Sequence, residues 1–366
     1  MATDDQPLRI GVAGVGFGSA VHIPAFQSEG VEVLAVAASR QERADEAAGR
    51  FGVAHAFTDF RAMLELEGLD AVAIATPPSQ HHDMAIAALA AGKHVLCEKP
   101  FALDQTQAFA MRRAARESGC TAMVAHEFRF ASGRMRTKEL LEEGYVGSPR
   151  LARANMILGA PPRAAQPPAA YDPRRDQAAQ GAGLLFGLGS HFIDGLRHWF
   201  GEVERVLGHV TNFSPERMQD GEPVTADADN FYFAELSFRS GVMAQLTGTV
   251  AAPFGAGATV EIYGSEGTLI APQTGPNPPS HGVLRGARIG DQSLGDLPIP
   301  SRLEPLTDER DDRLMPFRLL VREFLSGIRS GTSPAPNFDD GYRCQQILDA
   351  VRESSASGRR VAIDLD

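Results

Sequence analysis

Lysine is almost missing from this chain. It occurs only at positions 93, 99 and 138, although 35 of the 366 residues are lysine or arginine. Arginine therefore fills nearly every role for which any cation would serve, and a retained lysine points to chemistry that a guanidinium does not supply. Cysteine is sparse too: Cys97, Cys120 and Cys344 form no CxxC pair. That spacing excludes a disulfide framework and a zinc knuckle, and fits a reducing cytoplasm. No apolar run approaches the ~20 residues of a membrane span. Residues 1–7 are acidic and polar rather than basic and then apolar, so no signal segment is expected. A net charge of -11 with no basic stripe argues against nucleic acid. His81 and His82 are adjacent rather than four apart, so a metal site is not expected there.

What is present begins with a short apolar run at 8–13, followed at once by Gly14-Val15-Gly16-Phe17-Gly18-Ser19. A helix-forming stretch over 20–29 comes next, with Pro24 early in it. Strand, glycine turn and helix in that order make the dinucleotide fingerprint. Gly14 permits the tight turn and Gly16 lets the backbone approach a pyrophosphate; Ser19, at the third fingerprint position, is small enough for the helix to pack on the strand. Gly14, Gly16, Phe17, Gly18 and Ser19 are thus the expected phosphate-facing positions, at the N-terminus of a helix with unpaired N–H groups. His22, inside that helix, reads as a packing or capping residue.

Further strands at 31–37, 70–75, 94–97 and 121–125 alternate with helices at 42–51, 80–91 and 104–118, the last capped by Asp104. This alternation implies an α/β unit, a parallel sheet with helices on both faces. The second strand ends Ala37-Ala38-Ser39-Arg40, without the carboxylate that usually holds the ribose hydroxyls. Ser39 and Arg40 suit a 2′-phosphate, which favours NADP(H) over NAD(H); the alternative is that Arg40 only starts the next helix in solvent.

Lys99 follows the apolar run 95–97 and precedes Pro100. A lysine at the end of a buried strand is partly desolvated, which lowers its pKa and makes it a usable proton donor or acceptor. The plain alternative is an ordinary strand-end charge. His126 and Arg129 follow the last nucleotide strand and should face the cleft, Arg129 either anchoring substrate or structure, or pairing with Glu127 or another nearby acid. Residues 231–238 and 242–250 alternate as antiparallel strands do. The proline-rich stretch 159–180 reads as a cover over the substrate or as an oligomer-contact arm, and 271–300 as a surface excursion.

Ala75-Thr76-Pro77-Pro78, Gln80-His81-His82, residues 90–95 and Glu98-Lys99-Pro100 together resemble the Gfo/Idh/MocA oxidoreductases, and Ile193-Asp194, residues 262–267 and residues 338–341 continue the match. The resemblance covers nearly the whole chain. It implies an N-terminal Rossmann domain, placed at 1–125, and an α+β domain with a large, mostly antiparallel open sheet, placed at 126–366 and used in a homodimer or homotetramer. It also implies hydride transfer between a nicotinamide cofactor and a hydroxyl or carbonyl of a sugar, polyol or related small molecule. By the same resemblance Thr76 and Pro77 line the nicotinamide side, with His81 nearby. Glu98 contacts the nicotinamide ribose and Lys99 reaches both cofactor and substrate. Lys99 and His191 are then the acid/base and charge-stabilising groups, and Arg129 and Asp194 join them around the substrate. Family members often place an aspartate four residues before that histidine; here the position is Gly187. Asp194, on the same helical face as His191, is a candidate for orienting it. The missing aspartate motivates a second possibility, a cofactor-binding sensor of the same fold with weak or no catalysis.

Overall fold

The computed structural model describes residues 7–158, 177–219, 222–273 and 283–365. Two compact units emerge: residues up to Glu127 together with Asp308–Gln345, and Phe128–Thr307 together with the chain from Gln346. The first crossing falls two residues beyond the expected 125/126 boundary. The return of 308–345 to the first unit corrects the expected division into two contiguous domains.

The first unit begins β1 (Arg9–Ala13), α1 (Ile23–Ser28), β2 (Glu32–Ala37), α2 (Gln41–Phe51), β3 (His55–Phe57) and α3 (Phe60–Leu64). It continues β4 (Ala71–Ile74), α4 (His81–Ala90), β5 (His94–Cys97), α5 (Gln105–Ser118) and β6 (Ala122–Val124). The six strands are parallel in the order β3-β2-β1-β4-β5-β6. Strands of such a sheet are covered on both faces, which is why β4 is Ala-Val-Ala-Ile with all four residues buried. Strand order reverses between β1 and β4, so the turns after these two strands open at the switch point where α/β sheets bind ligands. The expected helix over 20–29 is divided: Gly18–His22 is a π-helical turn in which Ile23 N–H reaches Gly18 O, and α1 follows with Pro24 in its first turn. Proline has no N–H to give an i→i−4 bond, so it is tolerated at a helix start but not in its interior. β3 and α3 escaped the sequence pattern because three and five residues carry no readable period.

The second unit holds α6 (Ser132–Glu142), β7 (Pro149–Ile157), α7 (Ser190–Phe200), β8 (Val203–Thr211), the hairpin β9 (Glu216–Gln219) and β10 (Glu222–Thr225), β11 (Phe231–Phe238) and β12 (Met243–Thr249). β13 (Gly257–Gly264), β14 (Gly267–Gln273), β15 (Arg285–Arg288) and β16 (Gly295–Asp296) follow. After α8 (Leu314–Ser330), α9 (Phe338–Ser357) crosses from the first unit to the second, and β17 (Val361–Ala362) ends the sheet. Nine strands run in the order β16-β15-β14-β13-β7-β12-β11-β8-β17, antiparallel except where β7 meets β12. β11 displays the alternation predicted for it: Tyr232, Ala234, Leu236 and Phe238 are buried, and Phe231, Phe233, Glu235 and Ser237 half-buried. The stretch 271–300, expected as a surface excursion, supplies β15 and the edge strand β16 of this sheet. Residues 159–176, most of the expected cover, lie outside the described residues.

The returning segment is bound into the first unit by packing and charge. Phe317 of α8 is fully buried, its ring 4.5 Å from that of His22 and 6.4 Å from that of Phe17. Arg318 and Arg322 meet Glu29 at 2.7 and 2.6 Å. Farther on, Val124 N–H donates to Pro336 O at 2.9 Å and Met123 bridges Asn337, so this segment lines the β6 edge of the sheet. Phe317→Ala, which empties a ring-sized volume at that junction, is expected to destabilise the first unit by about 3–5 kcal/mol in denaturant unfolding. A loss below about 1 kcal/mol would show that α8 does not complete this core.

Candidate active site

The glycine turn sits at the C-terminal end of β1. Gly14 has φ +95°, its N–H donates to Ala37 O at 2.8 Å, and a Cβ there would run into the Ala75 carbonyl. No residue but glycine meets both demands. Gly16 is exposed, and a Cβ on it would meet nothing within 4 Å. That open space above the turn, the helix start behind it and the exposed Ser39 and Arg40 at the end of β2 fit a dinucleotide. Phe17 turns its ring inward, edge-on to His22 at 5.8 Å and under the Arg313 guanidinium at 5.2 Å. Its contribution to a ligand is therefore its backbone.

His81, which the resemblance places near the nicotinamide, is fully buried, with Nδ1 3.0 Å from Pro100 O and Nε2 2.9 Å from Thr76 O. Its ring ties the turn after β4 to the turn after β5 through the Thr76 and Pro100 carbonyls. Burial, the strongest influence, lowers its pKa even though both carbonyls favour a protonated ring.

Glu98 and Lys99 leave the end of β5. Glu98 is 5% exposed; its Oε1 accepts from His22 Nε2 at 2.8 Å and its Oε2 from the Lys99 amide at 3.1 Å. His22, which the sequence presented as a packing residue, thus orients the carboxylate expected at the ribose. Lys99 is half-buried. A further group at this edge was not anticipated: Glu127, 3% exposed, has its carboxyl pushed up to about 8 by burial and then by the Glu98 charge, against the pull of Lys99 and Arg313. Arg313, at the start of α8, is likewise invisible to local sequence reading, because it arrives on the returning segment, 186 positions after Glu127.

In the second unit His191 opens α7 and is 1% exposed. Its imidazole lies flat on the Phe128 ring, centroids 3.7 Å apart and planes 11° from parallel. This stack fixes the plane of the His191 ring. Asp194 is joined to Arg129, with hydrogen bonds of 2.6 and 2.7 Å and both side chains almost fully buried. Asp194 is thus an acid that pairs with Arg129, and this buried bidentate pair has the geometry of a structural anchor. Arg134 braces the same helix: its Nη1 donates to His191 O at 3.1 Å, and its guanidinium lies 5.1 Å from the Phe128 centroid and 5.0 Å from that of Phe192. The turn leading into α7 is pinned at its start, where the Asp229 carboxylate accepts from Leu185 N–H at 2.8 Å. Among the described residues no group of three His, Cys, Asp or Glu side chains is arranged to hold a metal, and no helix is long and apolar enough to cross a membrane.

Comparison with known families decides what this site belongs to. Residues 8–126 match the model described as "Oxidoreductase family, NAD-binding Rossmann fold", and residues 135–270 the "GFO/IDH/MocA C-terminal domain". The chain belongs to the Gfo/Idh/MocA family. An uncharacterized oxidoreductase of Synechocystis sp. is 30% identical over 100% of this chain and 98% of its own. Levoglucosan dehydrogenase of Pseudarthrobacter phenanthrenivorans is 27% identical over 96% of this chain and 97% of its own. A levoglucosan dehydrogenase structure in complex with NADH and levoglucosan superposes with a TM-score of 0.87 at 26% identity, covering 99% of this chain and 100% of that one. As a Gfo/Idh/MocA protein the chain is a Rossmann-type oxidoreductase with a mixed, mostly antiparallel second sheet, as the sequence motifs implied.

The raised Glu127 carboxyl has a consequence for stability. Unfolded it titrates at its ordinary 4.5, folded at about 8. Between those values the folded protein holds a proton that the unfolded chain has lost, so stability falls as pH rises through the window. Glu127→Gln is expected to flatten the decline in urea-unfolding free energy between about pH 5 and pH 8. An unchanged slope would mean that Glu127 titrates normally in the folded protein.

Proposed function

We propose that this protein is a nicotinamide-dependent dehydrogenase or reductase acting on a hydroxyl or carbonyl of a sugar, polyol or related small molecule. The observation that carries this is Lys99, one of three lysines, held at the switch-point edge beside a Glu98 fixed by His22. Relatives named for levoglucosan, 1,5-anhydro-D-fructose and myo-inositol support the substrate class. When bound, the nicotinamide supplies the hydride acceptor or donor. The chain's own groups handle the proton and the charge. In the oxidative direction the hydroxyl proton passes to His191 or Lys99; in the reductive direction the same group protonates the new alkoxide. The Lys99 ammonium also stabilises the developing oxyanion, an effect that is largest where water is excluded. Stacking on Phe128 holds the His191 ring in one plane for its part.

The absence of a carboxylate after β2 and the exposed Ser39 and Arg40 favour NADP(H), although related levoglucosan dehydrogenases have been solved with NADH. If Arg40 meets a 2′-phosphate, Arg40→Ala costs about tenfold or more in NADPH affinity, the loss of a charge-assisted hydrogen bond, and leaves NADH affinity nearly unchanged. Equal loss for both cofactors would assign Arg40 to helix α2 alone. The half-buried outer face of the nine-stranded sheet, with Leu151, Phe231, Phe233 and Met243, is the surface we assign to a homodimer or homotetramer.

Lys99→Ala is expected to lower turnover at least ~100-fold with little change in cofactor affinity, followed at the reduced-nicotinamide absorbance with a panel of sugars, polyols and their keto forms. Wild-type turnover in that variant would remove Lys99 from the chemistry. The sensor alternative rests on Gly187, and the site permits a direct comparison. A Cβ at 187 would meet nothing within 4 Å, so Gly187→Asp is expected to fold with stability within about 1 kcal/mol of the parent. A parent that binds cofactor yet turns over no substrate, and a variant that does, would favour the sensor reading.

A further inference from the structure

The glycine turn is short of cations of its own. From Ile10 to Ser39 the chain has neither lysine nor arginine, and the one histidine of that stretch, His22, is bonded to Glu98 at 2.8 Å. A pyrophosphate set on this turn is a dianion, which backbone N–H groups and a helix start answer only in part. Arg40, the next cation in the chain, stands at the end of β2, where the adenosine ribose is expected. A cation does reach the turn, from the returning segment of the same unit. The Arg313 guanidinium lies 5.2 Å from the centroid of the Phe17 ring, and Phe17 stands between Gly16 and Gly18. That ring is fixed edge-on to His22 at 5.8 Å and to the fully buried Phe317 at 6.4 Å.

The guanidinium is fixed as well. Asp311 accepts from its Nε at 2.8 Å and from its Nη2 at 2.5 Å, and Asp311 Oδ1 also accepts from the Arg313 amide at 2.9 Å. Among the described residues Nη1 has no hydrogen-bond partner. The side chain keeps 26% of its surface exposed, so a ligand has access to it. A part-exposed ion pair between residues two apart adds little to stability. What this pair does supply is a guanidinium held in one plane with donors to spare, the form in which arginine recognises phosphate. We infer that Arg313 is a phosphate-binding residue of the dinucleotide site, its Nη1 donating to the pyrophosphate over the glycine turn, with Asp311 the positioning residue that holds the fork. The glycine turn then contributes backbone N–H groups and the returning segment contributes the charge. The inference rests on the dinucleotide assignment of this turn and goes beyond it by naming the cation.

ADP-ribose tests this without turnover, since it carries the adenosine and the pyrophosphate but no nicotinamide. In calorimetric titrations Arg313→Met, which keeps an apolar side chain over Phe17 and removes the charge, is expected to bind ADP-ribose about tenfold or more weakly than the parent. Arg313→Lys, which restores the charge without the fork, should recover part of that loss. Adenosine, which lacks both phosphates, should bind the parent and Arg313→Met alike when followed by NMR. Unchanged ADP-ribose affinity in Arg313→Met overturns the inference, and so does an Arg313→Lys protein that binds no better than Arg313→Met. An equal loss of adenosine affinity in Arg313→Met would assign the residue to the fold of the turn and overturn it too. A parent that binds no ADP-ribose would sink the dinucleotide assignment itself, whereas the other outcomes leave that assignment standing.

Discussion

A carboxylate drawn out of water must find donors or surrender its charge. At the edge of the parallel sheet that demand is concentrated on Glu98, and the hydrogen bond from His22 is what meets it. The consequences spread outward from this contact. His22 can reach Glu98 only if the first helix turns its ring toward the end of β5, and this helix opens with a π-helical turn. The ring in turn needs cover, which Phe17, Phe26 and Phe317 supply. Phe317 belongs to α8, so meeting the demand of one carboxylate enlists a helix that starts 216 positions later in the chain. Lys99 inherits its place from all of this, since its amide is the second donor to the same carboxylate.

The second unit solves a similar problem with aromatic surface. His191, Asp194, Arg129 and Arg134 are all buried polar groups around α7. They are accommodated by ring stacking, a bidentate ion pair and a guanidinium set among aromatic rings, so each charged group is paired or lies over a π face. Gly195 makes room for this, since a Cβ there would stand 2.6 Å from the Arg134 Nη1. The start of the helix carrying His191 is consequently held from several sides.

What was legible in the sequence follows from range. The glycine turn, the Glu-Lys-Pro segment and the strand at 94–97 are local patterns, and the structure reproduces them to within a residue or two. Alternation over 231–238 declared a sheet strand because the period of two persists for eight residues. Asp104 announced itself as a cap, and its carboxylate does accept from Gln107 N–H at 2.9 Å. Glu127, Arg313 and the function of His22 were not legible. Their roles depend on which strands lie side by side and on which late segment folds back, and a single sequence encodes neither in any short window. The partner of Arg129 escaped for the same reason, being 65 positions away. For His81 the motif gave a position in the chain but said nothing of where its ring would point.

Proteins emerge from the ribosome N-terminus first, and domains generally fold in that order. This chain cannot follow the rule. Its nucleotide-binding unit starts at the first strand, yet the covering of His22, the partners of Glu29 and the segment lining the β6 edge are all supplied by residues 308–345. The second unit has by then presented eight of the nine strands of its sheet, all but β17. The half that begins synthesis first must therefore wait, incomplete, for residues 308–345, and the second half in turn waits for the chain from Gln346.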